Sequence, residues 1–379
     1  MLHSPYNDMN FLAKAVLLLF ITLAIYSFLS INTALNTSKY FELFLIVLAA
    51  FSALEVQKVA IPYITVLAIY ITFSLIYALL LTDTYFLDFL VAYKLFFYLL
   101  IGFLFLHKQY FDSRFIKNLF NLLLFVFFVK YSISLLGGFS HRPSVFIENN
   151  FELMFLLLLG VLSYHIHGFK ITSFIVLSLI FIMSGSKSAI LALAFAIPVL
   201  LIQRLTLIRI LSIIVFSIFL LSAVYYVFLT RGALSLENID RFLFLNVFLS
   251  EYTAFNWVNL LFGAERLTEL SNQSCSSLVY YEKLFSYKDA NSCYSVVFHS
   301  YHLRTLYDHG LVVYILVILL VYKTLRLAGH NNRLILIVIG VALINGLSVS
   351  SFNSVFFALS LFFYLTTYQN ESYPRFRKK

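Results

Sequence analysis

VAIPYITVLAIYITFSLIYALLL, Val59–Leu81, carries no charged side chain from its first residue to its last. A helix rises about 1.5 Å per residue, so about 20 apolar residues cross a hydrocarbon core of roughly 30 Å. An uncharged run of this length is too long for a buried helix of a water-soluble domain and has the length of a membrane span. The whole composition agrees with it: 62% of residues are hydrophobic and 11% charged, against roughly 25% charged in ordinary soluble domains. Mean hydropathy is +0.93.

Similar runs recur along the chain, and about twelve spans are expected. Their cores are Phe11–Ile31, Tyr40–Leu54, Val59–Leu81, Phe86–Leu106, Phe115–Leu136, Phe151–His165, Ile171–Met183, Ser188–Ile202, Leu207–Leu229, Leu311–Tyr322, Leu334–Val349 and Ser354–Thr367. The first run is too long for the core of a signal peptide and lacks a small-residue cleavage pattern, so it is read as a retained helix. Cytoplasmic loops retain Lys and Arg. With the N-terminus inside, the inner loops hold Lys58, Lys108, Arg114, Lys117, Lys170, Arg204, Arg209, Lys323, Arg326 and Arg333, and the tail holds Arg375, Arg377, Lys378 and Lys379. The outer loops hold Lys39, Arg142 and Lys187. The net charge of +9 is therefore mainly a signal of topology, and nucleic acid is not an expected partner.

The expected organisation is an all-α polytopic membrane protein in three parts. Residues 1–229 carry nine spans, 230–306 form one large outer loop, and 307–379 carry three more spans and a basic cytoplasmic tail. The loop holds both cysteines, Cys275 and Cys293, which an oxidising compartment would allow to pair. Their spacing does not decide whether they do. The segment NWVNLLFGAERL, Asn256–Leu267, holds the single Trp and reads as an interfacial helix.

Charges beside spanning helices are costly unless paired or hydrated, which makes them candidates for function. Those expected at the outer face are mostly cations: Lys130, Arg142, Lys187, Arg231, Arg241 and Arg304. Cations held against the positive-inside bias suit an anionic substrate, and phosphate fits guanidinium groups best. Lys94 and Lys130 are read as snorkelling to the interface. Arg142 stands in GGFSHRPSVFIENNFELM, Gly137–Met154, with Glu148 and Asn149 just ahead of a helix. SGSKSAILAL, Ser184–Leu193, places Lys187 in a small polar turn but lacks the GxxxxGK[ST] spacing of a nucleotide-binding loop.

In HSYHLRTLYDHGLVVYILVILL, His299–Leu320, helical spacing puts His299, His302 and His309 on one side and the pair Arg304 and Asp308 on the other. His302 and His309 would lie roughly 10 Å apart along the axis, too far for one metal ion. His309 reads as interfacial, and the Arg304–Asp308 pair as either a salt bridge or part of a site.

His299, Ser300 and, after nine intervening residues, Gly310 resemble the H-[NSQ]-x9-G element of the bacterial O-antigen polymerase and ligase superfamily. SGSKSAILAL resembles its S-x-S-[RK]-x-x-x-L-x-L element, Ile239–Asn246 (IDRFLFLN) its loop arginine, NLLFGAE the glycine step that follows, and HRPSVFIENN an earlier outer-loop arginine segment. The resemblance covers roughly Gly137–Val349. Val313 stands where ligases carry a second glycine, and Lys187 where the S-x-S element often has arginine; both departures suit the Wzy-type polymerases better.

The resemblance implies a GT-C-like fold and an inverting glycosyltransferase in the bacterial inner membrane, working at its periplasmic face. Donor and acceptor would both be undecaprenyl-diphosphate-linked oligosaccharides, with undecaprenyl diphosphate released and a chain-length regulator as a further partner. His299 would be the general base. Arg142, Arg241, Arg304, Lys187, Glu148 and Asp308 would bind diphosphate and substrate, with no cofactor and no metal. An O-antigen ligase, which accepts onto lipid A core, and a flippase for the same lipid-linked sugar are the alternatives. A flippase would want polar groups near the bilayer midplane, whereas these lie at the outer edge.

Overall fold

The structure is a computed structural model that describes residues 5–29, 37–139, 142–146, 148–168, 170–201, 240–265, 267–289 and 292–367. Among these residues it is helical, with no strand and a single isolated bridge between Phe111 and Thr367. The helices are α1 (Pro5–Leu29), α2 (Ser38–Ser52), α3 (Ile61–Leu80), α4 (Phe86–Ala92), α5 (Lys94–Leu104), α6 (Ser113–Leu136), α7 (Asn149–His167), α8 (Ile171–Met183), α9 (Lys187–Leu201), α10 (Asp240–Tyr252), α11 (Trp257–Phe262), α12 (Asn272–Ser277), α13 (Tyr301–Leu327), α14 (Asn332–Gly346) and α15 (Val355–Thr366).

Among the described residues five helical segments are long and apolar enough to cross a membrane: Phe11–Leu29, Lys58–Leu80, Ser113–Leu136, Asn149–His167 and Tyr301–Leu327. The bent pair α4 and α5, with 62° between them, makes a sixth if counted as one span. Four more apolar helices, α8, α9, α14 and α15, are shorter. The expected span Leu207–Leu229, the residues 202–239 around it with Arg231, and the basic tail lie outside the described residues.

Burial separates the inner helices from the outer ones. Nearly every residue of α7 from Asn149 to Ser163 is buried, and so is every residue of α15. A helix that is apolar all round belongs in a core. Helices α1 and α3 bury one side and expose large apolar residues on the other, Leu18 at 65% and Ile69 at 63%. In hydrocarbon such a face needs no polar cover.

Two backbone breaks shape the bundle. Between α4 and α5 the freed carbonyl of Val91 accepts from Arg304 Nη2 at 2.7 Å, and the Leu95 N–H donates to Asn353 Oδ1 at 3.0 Å. A backbone group left unpaired in hydrocarbon costs several kcal/mol, so these two side chains allow the helix to turn. The second break lies within α13, where Gly310 has φ +70°. There the turn at Gly263, with φ +85°, crosses it backbone against backbone. A Cβ on either glycine would fall 2.4 Å from backbone of the other segment, and the Ala264 N–H donates to Tyr307 O at 2.7 Å. Glycine is required here both for its conformation and for the close approach.

The segment from α10 to the start of α13 has a hydrophobic core of its own, including Phe244, Phe248, Leu270, Leu278, Val297 and Phe298. Cys275 and Cys293 form a disulfide within it, resolving the choice that their spacing left open. Buried Asp88 tethers this segment to the start of α4, accepting from the Ser286 hydroxyl at 2.6 Å and the Tyr287 N–H at 2.9 Å. Of the segment Asn256–Leu267 only Trp257–Phe262 is helical, and there Trp257 is 71% exposed and Phe262 50%.

The helical-wheel expectation for His299–Leu320 is corrected by the fold. Helix α13 starts at Tyr301 with Ser300 as its cap residue, so His299 precedes the helix and the three histidines do not share a face. His302 bridges Tyr314 Oη and Leu343 O, each at 2.9 Å. His309 is not interfacial; it is buried against Tyr93 and Phe96, with Nδ1 2.9 Å from Tyr70 Oη.

Candidate functional site

Near the N-terminal end of α7 lie three of the cations that the sequence singles out, Arg142, Arg241 and Lys187. Glu148 stands just ahead of Asn149 in extended backbone. Burial raises its pKa above the ordinary carboxylate value, while the charges of Arg142 and Arg241 pull it back down. One carboxylate thus feels both arginines, which come from segments about a hundred residues apart.

One helical turn on, Glu152 is fully buried and accepts from Tyr131 Oη at 3.0 Å and from the N–H groups of Val145 and Phe146 at 2.8 and 2.7 Å. The latter two follow Arg142 and Pro143 after a single serine. Glu152 therefore fastens the arginine-bearing loop to the helix that carries Glu148.

The turn before Lys187 is fused to the same helix. Ser184 Oγ accepts from the Ser186 N–H at 3.0 Å, and Asn149 Nδ2 donates to Ser184 O at 3.2 Å. The Ser186 hydroxyl donates to Asn150 Oδ1 and accepts from the Ala189 N–H at 3.2 Å, capping the start of α9 where Lys187 stands. Gly185, at φ +60°, permits the tight turn.

From there the contacts run back to His299. The Ser348 hydroxyl donates to Ser188 Oγ at 2.7 Å, and the Ser300 hydroxyl donates to Gly346 O at 2.9 Å. The half-buried His299 ring lies 5.6 Å from that of Phe244 and 6.2 Å from that of Tyr281. Phe244 sits one turn from Arg241 on α10, and the charge of Arg241 is felt at Glu148. His299, Arg142, Arg241, Glu148 and the Lys187 turn thus lie toward one end of the bundle.

Arg304 and Asp308 have other partners. Arg304 is buried and serves the Val91 carbonyl, while Asp308 accepts from the Ser295 hydroxyl at 2.5 Å. Both hold breaks and turns of the scaffold. The two lysines read as snorkelling are bonded inside the protein. Lys94 pairs with Glu42 at 2.7 Å, an oxygen that also accepts from Tyr98 Oη at 2.8 Å. Lys130 is buried, donates to Ser27 O and lies 5.4 Å from the Phe28 ring centre.

Sequence reasoning passed over Glu152, Glu42 and Asn150. For the two glutamates a signal was present, an acid inside an apolar helical run; Asn150 carried none that separates it from an ordinary cap. Among the described residues no group of three or more His, Cys, Asp or Glu side chains could hold a metal ion. No protein-family model, curated protein or solved structure matches this chain.

Proposed function

We propose that the chain is an O-antigen polymerase: an inverting, GT-C-like glycosyltransferase with about twelve spans, acting at the outer face of the bacterial inner membrane. The observation that carries this reading is the arrangement at the start of α7, where hydrogen bonds fasten the Arg142 loop and the Lys187 turn beside Glu148, whose carboxyl feels Arg142 and Arg241, and where Phe244, one turn from Arg241, packs near His299. It pairs a histidine suited to accept a proton with cations suited to a diphosphate, and the sequence elements resembling the polymerase and ligase superfamily are the ones that meet there.

In the proposed reaction a hydroxyl of the acceptor saccharide attacks the anomeric carbon of the undecaprenyl-diphosphate-linked donor. His299 takes the hydroxyl proton. The bond from that carbon to the diphosphate oxygen breaks, and undecaprenyl diphosphate leaves carrying the electron pair. Arg142, Arg241 and Lys187 offset the charge that builds on it, which needs donors fixed beforehand in a site of low dielectric. The disulfide supports an outer position for this end, since cytosolic thiols are kept reduced. A ligase of the same superfamily would share this chemistry and differ in accepting onto lipid A core. A flippase would need none of it.

The test is a strain deleted for the gene and complemented with either wild-type or His299→Ala protein, read by the lipopolysaccharide ladder and by protein level. His299→Ala is expected at normal abundance with polymerisation reduced about 100-fold or more, leaving one repeat unit per core. Full-length chains from the variant would remove His299 from the reaction. Core without any repeat unit in the deletion strain would identify a ligase instead.

A further inference from the structure

At the end of the bundle opposite His299, a shallow cleft opens between α6, α7 and α8. Lys117 enters it from α6 and Lys170 from the residue before α8, while Tyr164 and Ser163 line it from α7 and Phe120 and Phe174 form its apolar wall. Among the described residues no acidic side chain lines it, and Lys117 and Lys170, carried by separate elements, border the same space.

Three local features keep the cleft open and electropositive. Gly160 has no side chain where a Cβ would come 2.8 Å from the Phe120 ring, so α6 and α7 approach closely on the inner side. His167 donates to the Ser113 carbonyl at 2.7 Å and ties the rim of α7 to the start of α6. Lys170 caps α8 without a side-chain hydrogen bond to the first N–H groups of that helix, which leaves the positive end of the helix dipole at the mouth. Beyond the mouth, Ile171 and Ile175 are 65% and 54% exposed, so the cleft runs from a cationic rim onto an apolar helix face.

We propose that this cleft binds the phosphate headgroup of an anionic phospholipid, with Lys117 and Lys170 on the phosphate and an acyl chain along Phe174 and α8. A phosphate at a membrane surface meets both requirements, a charge for the two ammonium groups and a tail for the wall beside them. A soluble phosphate compound would satisfy only the first. This site does not depend on the glycosyl-transfer reading, because it uses none of the residues at the other end.

The full chain, purified in detergent, is equilibrated with equal amounts of phosphatidylglycerol and phosphatidylcholine and the retained lipids are counted by native mass spectrometry. Wild-type protein is expected to keep phosphatidylglycerol roughly tenfold over phosphatidylcholine. The double variant Lys117→Gln, Lys170→Gln should lose that preference. A control that removes two cations from the same end of the bundle, Lys323→Gln with Arg333→Gln, should retain it. Equal retention of the two lipids by wild type, or loss in the control as great as in the cleft variant, would overturn the site. If inorganic phosphate at millimolar concentration displaces the lipid, the cleft takes free phosphate and the lipid assignment falls.

Discussion

Glu148 shows how a single side chain can sit in tension at a candidate site. Burial disfavours its charged form and the two arginines favour it, with burial the larger effect. The sign for stability follows. A carboxyl whose folded pKa lies above its unfolded value near 4.5 contributes fully when protonated, and that contribution is lost as pH rises through the folded pKa. Glu148→Gln, which mimics the protonated acid, should therefore match wild type in thermal stability near pH 4 and become the more stable of the two toward neutral pH. The readout is the thermal midpoint in detergent at a series of pH values. A variant that is less stable at neutral pH would mean that the arginines outweigh burial and hold the carboxylate ionised. Glu152, by contrast, has three donors on its two oxygens, two of them backbone N–H groups, and works as a fastener. The sequence places both acids in ENNFELM without distinguishing them, because the difference lies in donors from Tyr131, Val145 and Phe146 that only the fold supplies.

At the scale of elements, the helices were legible and their breaks were not. Uncharged runs such as Val59–Leu81 announce spans because the bilayer sets a length and excludes charge. A bend needs different information, namely which distant group will satisfy the freed backbone. Val91 meets Arg304 and Leu95 meets Asn353 across more than two hundred residues, and no local pattern records that. For the same reason Arg304, an arginine in a histidine-rich stretch, resembles a phosphate ligand in sequence and serves a carbonyl in the structure. Arg304→Met should remove a hydrogen bond from a charged donor and leave Val91 O without it, at about 1.5–3 kcal/mol. Arg304→Lys can still reach the carbonyl with one donor and should keep most of that stability. Thermal unfolding of the two variants beside their polymer ladders separates the roles: a lysine variant that is stable but inactive would return Arg304 to the substrate site.

For the whole molecule, α7 is the ruler. Its start lies with Glu148 in the candidate site and its end, His167, with the basic cleft, so the two lie about one helix length apart, and 19 residues at about 1.5 Å each nearly match a bilayer core. The bias of Lys and Arg in the short loops predicts a cytoplasmic position for the cleft end, with the disulfide-bearing segment outside. That expectation comes from composition alone, whereas the placement of Arg142, Arg241 and His299 toward one end depends on tertiary contacts that no loop count can give. Lys288 and Lys170, both exposed, report on the two sides. With each replaced singly by cysteine, a membrane-impermeant maleimide applied to cells with a permeabilised outer membrane should label position 288 and leave position 170 unlabelled until the inner membrane is opened. The native cysteines are bonded to each other and should stay silent. Labelling of position 170 in intact inner membranes, with position 288 protected, would reverse the topology, put the His299 end in the cytosol, and remove the basis for a reaction on outward-facing lipid-linked saccharide.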